Sequence, residues 1–445
     1  MRIPESPPSL DSLLKEELTT PEAWLTLTQR PTPSSSRNPY PHWDELRRLA
    51  PPEGWSTRRW WLATKLQRSG GAKVAPLQAS DGRPFVYNLA DPIPERLHDI
   101  DLRAGGSIAM PAAVTSPELK DRYLVSSLIE EAATSSILEG AATTRRVAEE
   151  LIRVGRKPRD RGERMILNNF ETMRRLGELR DKPLTPDLIF DIHRWITRDT
   201  LDDPTMAGQF RRPDQKIDVG DDYGQVFHVP PKADELPSRL ERMCAFANDQ
   251  TPAEFLHPVL RAIILHFWLA YDHPFVDGNG RTARALFYWS MLHRNYWLAE
   301  FISISEIILK GPAKYARAFL YTETDGNDLT YFLIYHLGVI HRALDQLHDF
   351  VTRKTEELRE LDRKLRMMRL LNHRQQALIS HALRHPGGDY TIESHRMSHN
   401  VAYETARSDL LDLVKRRLLA KHKAGRTWHF RPADHLERRL RGGRR

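Results

Sequence analysis

His273-Pro-Phe-Val-Asp-Gly-Asn-Gly-Arg-Thr-Ala-Arg284 is the stretch around which this chain is organised. Gly278, Asn279 and Gly280 let the backbone bend sharply into a run, Thr282 to Met291, that reads as helix. The first N–H groups of such a helix point outward with the positive end of the dipole behind them, an arrangement that cradles phosphate. Arg281 and Arg284 stand three residues apart, so they leave one helical face one turn apart. Each can fork onto phosphate oxygens. Asp277 offers a hard oxygen for Mg²⁺, and His273, at the mouth of the loop, is a candidate proton acceptor near neutral pH. Read together, the stretch binds a metal-nucleotide and supplies a base.

The same residues match the pattern HPFx(D/E)GNGRxxR at every fixed position, and the chain thereby resembles Fic-domain proteins. The resemblance implies a mainly α fold: a Fic-type helical bundle carrying a β-hairpin flap. It implies a protein adenylyltransferase that moves AMP from ATP to a Ser, Thr or Tyr hydroxyl of a target protein. Residue by residue, Asp277 would hold Mg²⁺ and the backbone of Gly278, Asn279 and Gly280 would cradle the phosphates, with the Asn279 side chain as a further donor. Arg281 would take the β-phosphate and Arg284 the γ-phosphate. His273 would remove the proton from the attacking hydroxyl, and pyrophosphate would leave.

Two further stretches extend the resemblance. Ser135-Ser-Ile-Leu-Glu-Gly140 resembles the inhibitory pattern (S/T)xxxE(G/N), with Ser135, Glu139 and Gly140 in the matching places. The helix predicted from Pro117, capped by Ser116, would bring Glu139 to Arg284 and so deny it to the γ-phosphate. Release of that check would show first as self-modification. Ile217, Val219, Val226, Phe227 and His228 alternate around Asp221-Asp222 and Gly224, a hairpin pattern. The resemblance makes it the flap that clamps an extended target segment. Some relatives with this inhibitory pattern also remove AMP, using the glutamate to position water, and that reading stays open. A reading from another class is a DNA-binding regulator whose Fic site only senses nucleotide. The motif names neither the target protein nor the nucleotide base. No GxxxxGK(S/T) occurs, which argues against an ordinary P-loop ATPase.

The 445 residues suffice for two or three domains. No apolar run approaches the ~20 residues that cross a bilayer, the N-terminus lacks the plan of a signal peptide, and the single cysteine, Cys244, excludes an internal disulfide. A cytoplasmic protein without a membrane partner is the expectation. Residues 1–38 read as a flexible lead-in, and 39–112 as a small domain cored by Trp43, Trp55, Trp60 and Trp61. Residues 113–350 form the expected Fic domain, with the inhibitory helix at 117–140. Residues 351–371 continue as a charged connecting helix, for which a short dimerising seam is the alternative.

The net charge of +8 belongs to the C-terminal end: residues 401–445 hold 13 Lys/Arg against 5 Asp/Glu, a difference of +8. Residues 372–432 read as three helices and a strand-turn-strand wing, the plan of a winged helix-turn-helix domain. Tyr403, Thr405, Arg407 and the wing's Arg426 are its candidate DNA contacts, and the basic tail 433–445 could lie along phosphates. Winged helices also serve as protein-docking modules, so DNA and protein both stand as partners.

Overall fold

The computed structural model describes residues 2–18, 27, 38–105, 117–215, 217–221, 224–251, 255–385, 387–424 and 427–436. Two compact units divide them, the first ending at His348 and the second beginning at Asp349. Both are mainly helical with small sheets. Among the described residues no helix is long and apolar enough to cross a membrane. Ser116, Asp222, Arg426 and the tail beyond residue 436 lie outside the described residues.

The first unit opens with α1 (Leu10–Glu17), α2 (Trp43–Leu46) and α3 (Thr57–Gly71). Leu13, Trp43, Trp60 and Trp61 pack together there, so these tryptophans are core. Strand β1 (Lys73–Gln78), which the sequence reading did not anticipate, pairs antiparallel with β2 (Pro84–Tyr87), and α4 (Ile93–Ile100) follows.

Next comes α5 (Pro117–Leu138), then α6 (Arg145–Val154) and α7 (Arg161–Leu179) with Thr144 and Asp160 as side-chain N-caps. Thr185 caps α8 (Pro186–Thr197), whose first residue is the proline favoured there. The hairpin is short: β3 (Val219–Gly220) on β4 (Val226–His228), with an irregular register. A 3₁₀ turn at Ala233–Glu235 then precedes α9 (Leu236–Ala247). Cys244 on α9 is buried in the core, and burial pushes its thiol up to about 12.

α10 (Pro258–Asp272) is apolar almost all round and correspondingly buried from Val259 to Leu269. It packs on α11 (Asn279–His293), which also touches α7 and α8. α11 ends at His293, Asn295 takes φ +63°, and Trp297–Phe301 forms a separate 3₁₀ turn. Asn tolerates that left-handed geometry, so the turn overrides a helical hydrophobic pattern. α12 (Ile304–Leu309), α13 (Pro312–Thr324) and α14 (Thr330–Arg369) complete the series, α14 being 40 residues long.

The second unit is built from α15 (His373–Arg384), β5 (Tyr390–Thr391), α16 (Ile392–His399), α17 (Tyr403–Lys415), β6 (Leu419–Ala424) and β7 (Thr427–Pro432). Its sheet has the order β5-β7-β6, all antiparallel. Leu378, Ile379, Leu410, Leu413, Leu419 and Phe430 form its core. The basic run Lys415–Arg417 ends α17 and makes the turn before β6.

Candidate active site

The site is the junction of α10 and α11. His273 ends α10 in the left-handed region, φ +45°, its N–H still bonded to the Leu269 carbonyl at 3.0 Å. Its Nδ1 lies 3.4 Å from the Ala270 carbonyl. With Nδ1–H donating there, Nε2 keeps its lone pair free. Burial at the floor of the loop pushes the imidazole down to about 4, so it is neutral at pH 7.

Phe275 anchors the loop, fully buried and stacked on His193 of α8 at 3.8 Å between ring centres. His193 accepts from the Gly208 N–H at Nδ1 (2.8 Å), which leaves Nε2–H to donate to the Asp277 carbonyl (2.8 Å). Arg211 donates through Nε to the His273 carbonyl (2.9 Å) and through Nη2 to that of Pro231, while its own N–H reaches the Pro274 carbonyl (2.9 Å). Sequence reasoning missed both His193 and Arg211. Neither lies in the motif.

Gly278 starts α11 at φ +83°, and a Cβ there would press on Thr197 and His193. Asn279 was expected to donate to a ligand. Instead its amide accepts from the Phe275 N–H (3.0 Å) and donates to the Phe275 carbonyl (2.8 Å), closing the loop. Arg281 is fully buried, and its Nε has no hydrogen-bond partner among the described residues. A buried guanidinium with an unpartnered N–H at a helix N-terminus keeps donor capacity of the kind that suits an anion.

Asp277 accepts from the Gly278 N–H through Oδ1 (2.5 Å) and faces Arg161 through Oδ2 (3.2 Å). Its side chain is over a third exposed. A hard, reachable carboxylate beside a phosphate cradle fits Mg²⁺, which shares its coordination between one or two carboxylates and the nucleotide.

Glu139 follows α5 directly and reaches this same helix start. Its Oε1 accepts from Arg284 Nη2 at 2.8 Å. Arg284, 2 % exposed, also donates through Nε to Ser135 Oγ (2.8 Å) and through Nη2 to the Ser135 carbonyl (3.0 Å). A Cβ on Gly280 would fall inside the Glu139 carboxylate, so only glycine leaves room for it. Gly140 completes the stretch in a turn at φ +86°.

On the hairpin, Val226 is exposed, while Ile217, Val219 and Phe227 are half-buried. His228 points inward: its ring bonds Glu323 (2.7 Å) and the Tyr271 carbonyl (2.7 Å), so the side chain ties β4 to the core. In the second unit Tyr403 is exposed, Thr405 half-buried, and Arg407 is paired with Glu404 at 3.1 Å.

Comparison with known proteins gives the class. Residues 183–291 match the Fic/DOC family, a span that contains α8, the hairpin, α10 and most of α11. The chain carries a Fic/DOC domain and through it is a distant relative of protein adenylyltransferases. It is 36 % identical over 107 residues to the protein adenylyltransferase Fic of Nematostella vectensis, 24 % of this chain and 22 % of that protein. It is 34 % identical over 108 residues to the protein of that name from Drosophila melanogaster, 24 % and 20 % of the two chains. It thus spans about a fifth of the length of the curated relatives it matches. Among solved structures it is similar to a Fic family protein of Desulfovibrio desulfuricans (TM-score 0.49, 18 % identity, 79 % of this chain and 95 % of that one). Fic-1 of C. elegans gives a TM-score of 0.46 at 20 % identity, over 57 % and 71 %.

Proposed function

We propose that this protein is a protein adenylyltransferase held in check by Glu139. The observation that carries the reading is the Glu139 carboxylate at the α11 N-terminus, 2.8 Å from Arg284. An anion of this chain occupies the position where a nucleotide's phosphates would meet the helix dipole and the two arginines. When the glutamate withdraws, Arg284 and the free valences of Arg281 become phosphate donors, and the α11 N–H groups cradle the chain of phosphates.

In the transfer, the target's hydroxyl oxygen attacks the α-phosphorus, the bond to the bridging oxygen breaks, and pyrophosphate departs. Nε2 of His273 takes the hydroxyl proton. Asp277 would hold the magnesium ion that accompanies ATP, and that ion would neutralise phosphate charge. Positioning and charge neutralisation carry most of the rate in such transfers. The hairpin would serve target docking by strand addition: β3 and β4 are short, and Val226 stands exposed on them.

The second unit's helices and β5-β7-β6 sheet support a winged helix-turn-helix reading, in which α17 would enter a DNA groove with Tyr403 and Thr405. On that reading duplex DNA binding weakens steeply with salt.

The test of the enzymatic reading is label transfer from α-labelled ATP to the purified chain or to proteins of a lysate. Transfer by Glu139→Gly that is lost in Glu139→Gly/His273→Ala is the expected result. Nucleotide binding without any label transfer in Glu139→Gly would instead favour a nucleotide-sensing regulator.

A further inference from the structure

We infer that the sheet of the second unit carries a binding site for a borderline divalent cation, Zn²⁺ first, made of Asp389, His422 and His429. The site follows from strand register. His422 on β6 stands directly opposite His429 on β7, so the two imidazoles leave the same face of the sheet as a cross-strand pair. Their ring centres are 5.5 Å apart. On the other side of β7, Thr391 of β5 is the residue opposite His429. Asp389, two positions before Thr391, therefore returns to that same face.

Its Oδ2 already lies 3.0 Å from His429 Nδ1. One ligand atom from each of the three residues falls within 4.8 Å of the others. Ligand atoms around a tetrahedral zinc at ~2.1 Å stand about 3.4 Å apart, so side-chain rotation of roughly an ångström closes the set.

Two imidazoles and one carboxylate are the ligand types of zinc sites with three protein ligands and an open position. Among the described residues this is the cluster with metal-ligating reach, and none of its members belongs to the 273–284 loop. The bland account is an ion-pair network, since Asp389 also faces Arg431 at 3.3 Å. The two accounts differ in His422. It is no partner in the Asp389–Arg431 pair, yet the register aims it at the same point. A bound cation would take Asp389 from Arg431 and tie all three strands together, coupling the β6–β7 hairpin to the start of α16.

The experiment uses the full chain, freed of metal by dialysis against a chelator and titrated calorimetrically with ZnCl₂ in the absence of nucleotide. One equivalent is expected to bind the wild type. His422→Gln, His429→Gln and Asp389→Asn should each weaken it by at least ~10-fold, because even the loss of an outer partner of a metal ligand costs 10–100-fold. Loaded with Cu²⁺ instead, the wild type should give an electron paramagnetic resonance spectrum with two coupled imidazole nitrogens, and either histidine variant only one. Absence of binding to the wild type overturns the inference. So does an equivalent that survives the double His422→Gln/His429→Gln change, which would belong to the neighbouring His381–His385 or His395–His399 pairs. All three positions lie on the sheet surface, and circular dichroism of each variant separates lost ligation from lost folding.

Discussion

Arg284 spends three hydrogen bonds on residues about 145 positions earlier in the chain, all at the end of one helix. A buried guanidinium needs a counter-charge, and Glu139 provides it as long as no phosphate does. Glu139→Gly is expected to raise incorporation of label from α-labelled ATP by about tenfold or more, since only ~1.4 kcal/mol of released competition suffices for that factor. Arg284→Ala in the same background should return incorporation to the control level. Equal incorporation by wild type and Glu139→Gly would remove the inhibitory role. His273 carries a second expectation. On the proposed mechanism protonation would destroy the lone pair that accepts the hydroxyl proton, so activity is expected to fall as pH drops through the folded-state value of about 4. In Glu139→Gly, kcat/KM should stay level from pH 7.5 to 6 and decline only below ~5, the ordinary histidine value being ~6.5. An acid limb centred near 6.5 would show that the base is solvent-exposed in solution. His273→Ala should cost ~10²–10⁴-fold at pH 7.

At the scale of elements, the position of Glu139 depends on how α5 is held. Glu131, one turn before Ser135 and 2 % exposed, is the staple. Its Oε2 accepts from Tyr288 Oη (2.9 Å), Ser303 Oγ (2.8 Å) and the Ser305 N–H (3.0 Å), and its Oε1 accepts from Ser305 Oγ (2.5 Å). One carboxylate thus ties α5 to α11 and to the start of α12. Glu131→Ala orphans several buried donors and is expected to cost on the order of 3 kcal/mol, read as a lower denaturant midpoint. It should also raise label incorporation by the folded protein, because the end of α5 is loosened. Destabilisation with unchanged incorporation would mean that Glu139 is held from elsewhere.

The whole first unit stores a dependence on pH. Burial holds His42 and His336 down to about 3, His193 and His273 to about 4, and His266 well below its usual value. In the unfolded chain each titrates near ~6.5. Between about pH 4 and 6.5 the unfolded state therefore binds more protons, and stability rises with pH across that window. Each such histidine contributes up to ~1.4 kcal/mol per pH unit there. The thermal midpoint of the first unit should accordingly fall between pH 7 and pH 5, and His42→Gln should shallow the slope. A midpoint that does not move over that range would show that these imidazoles are hydrated.

The sequence by itself determined whatever is written in one contiguous run. The 273–284 loop, its two glycines and its pair of arginines are legible because their chemistry needs only neighbours along the chain. Helix starts at Pro186 and Pro258 are legible for the same reason, since capping residues and N1 prolines act locally. A likeness in pattern also pointed to Glu139, but not to the Ser135 bonds that share its arginine. Tertiary structure alone decided where buried polar side chains spend their bonds. Asn279 turned inward to Phe275, His228 to Glu323, Arg211 beneath His273, and Glu131 to α11 and the start of α12. Such side chains have no period and no flanking signal. A polar residue reads as exposed until the fold supplies the partner that satisfies it on burial, and for Glu131 one such partner, Tyr288, lies 157 positions away.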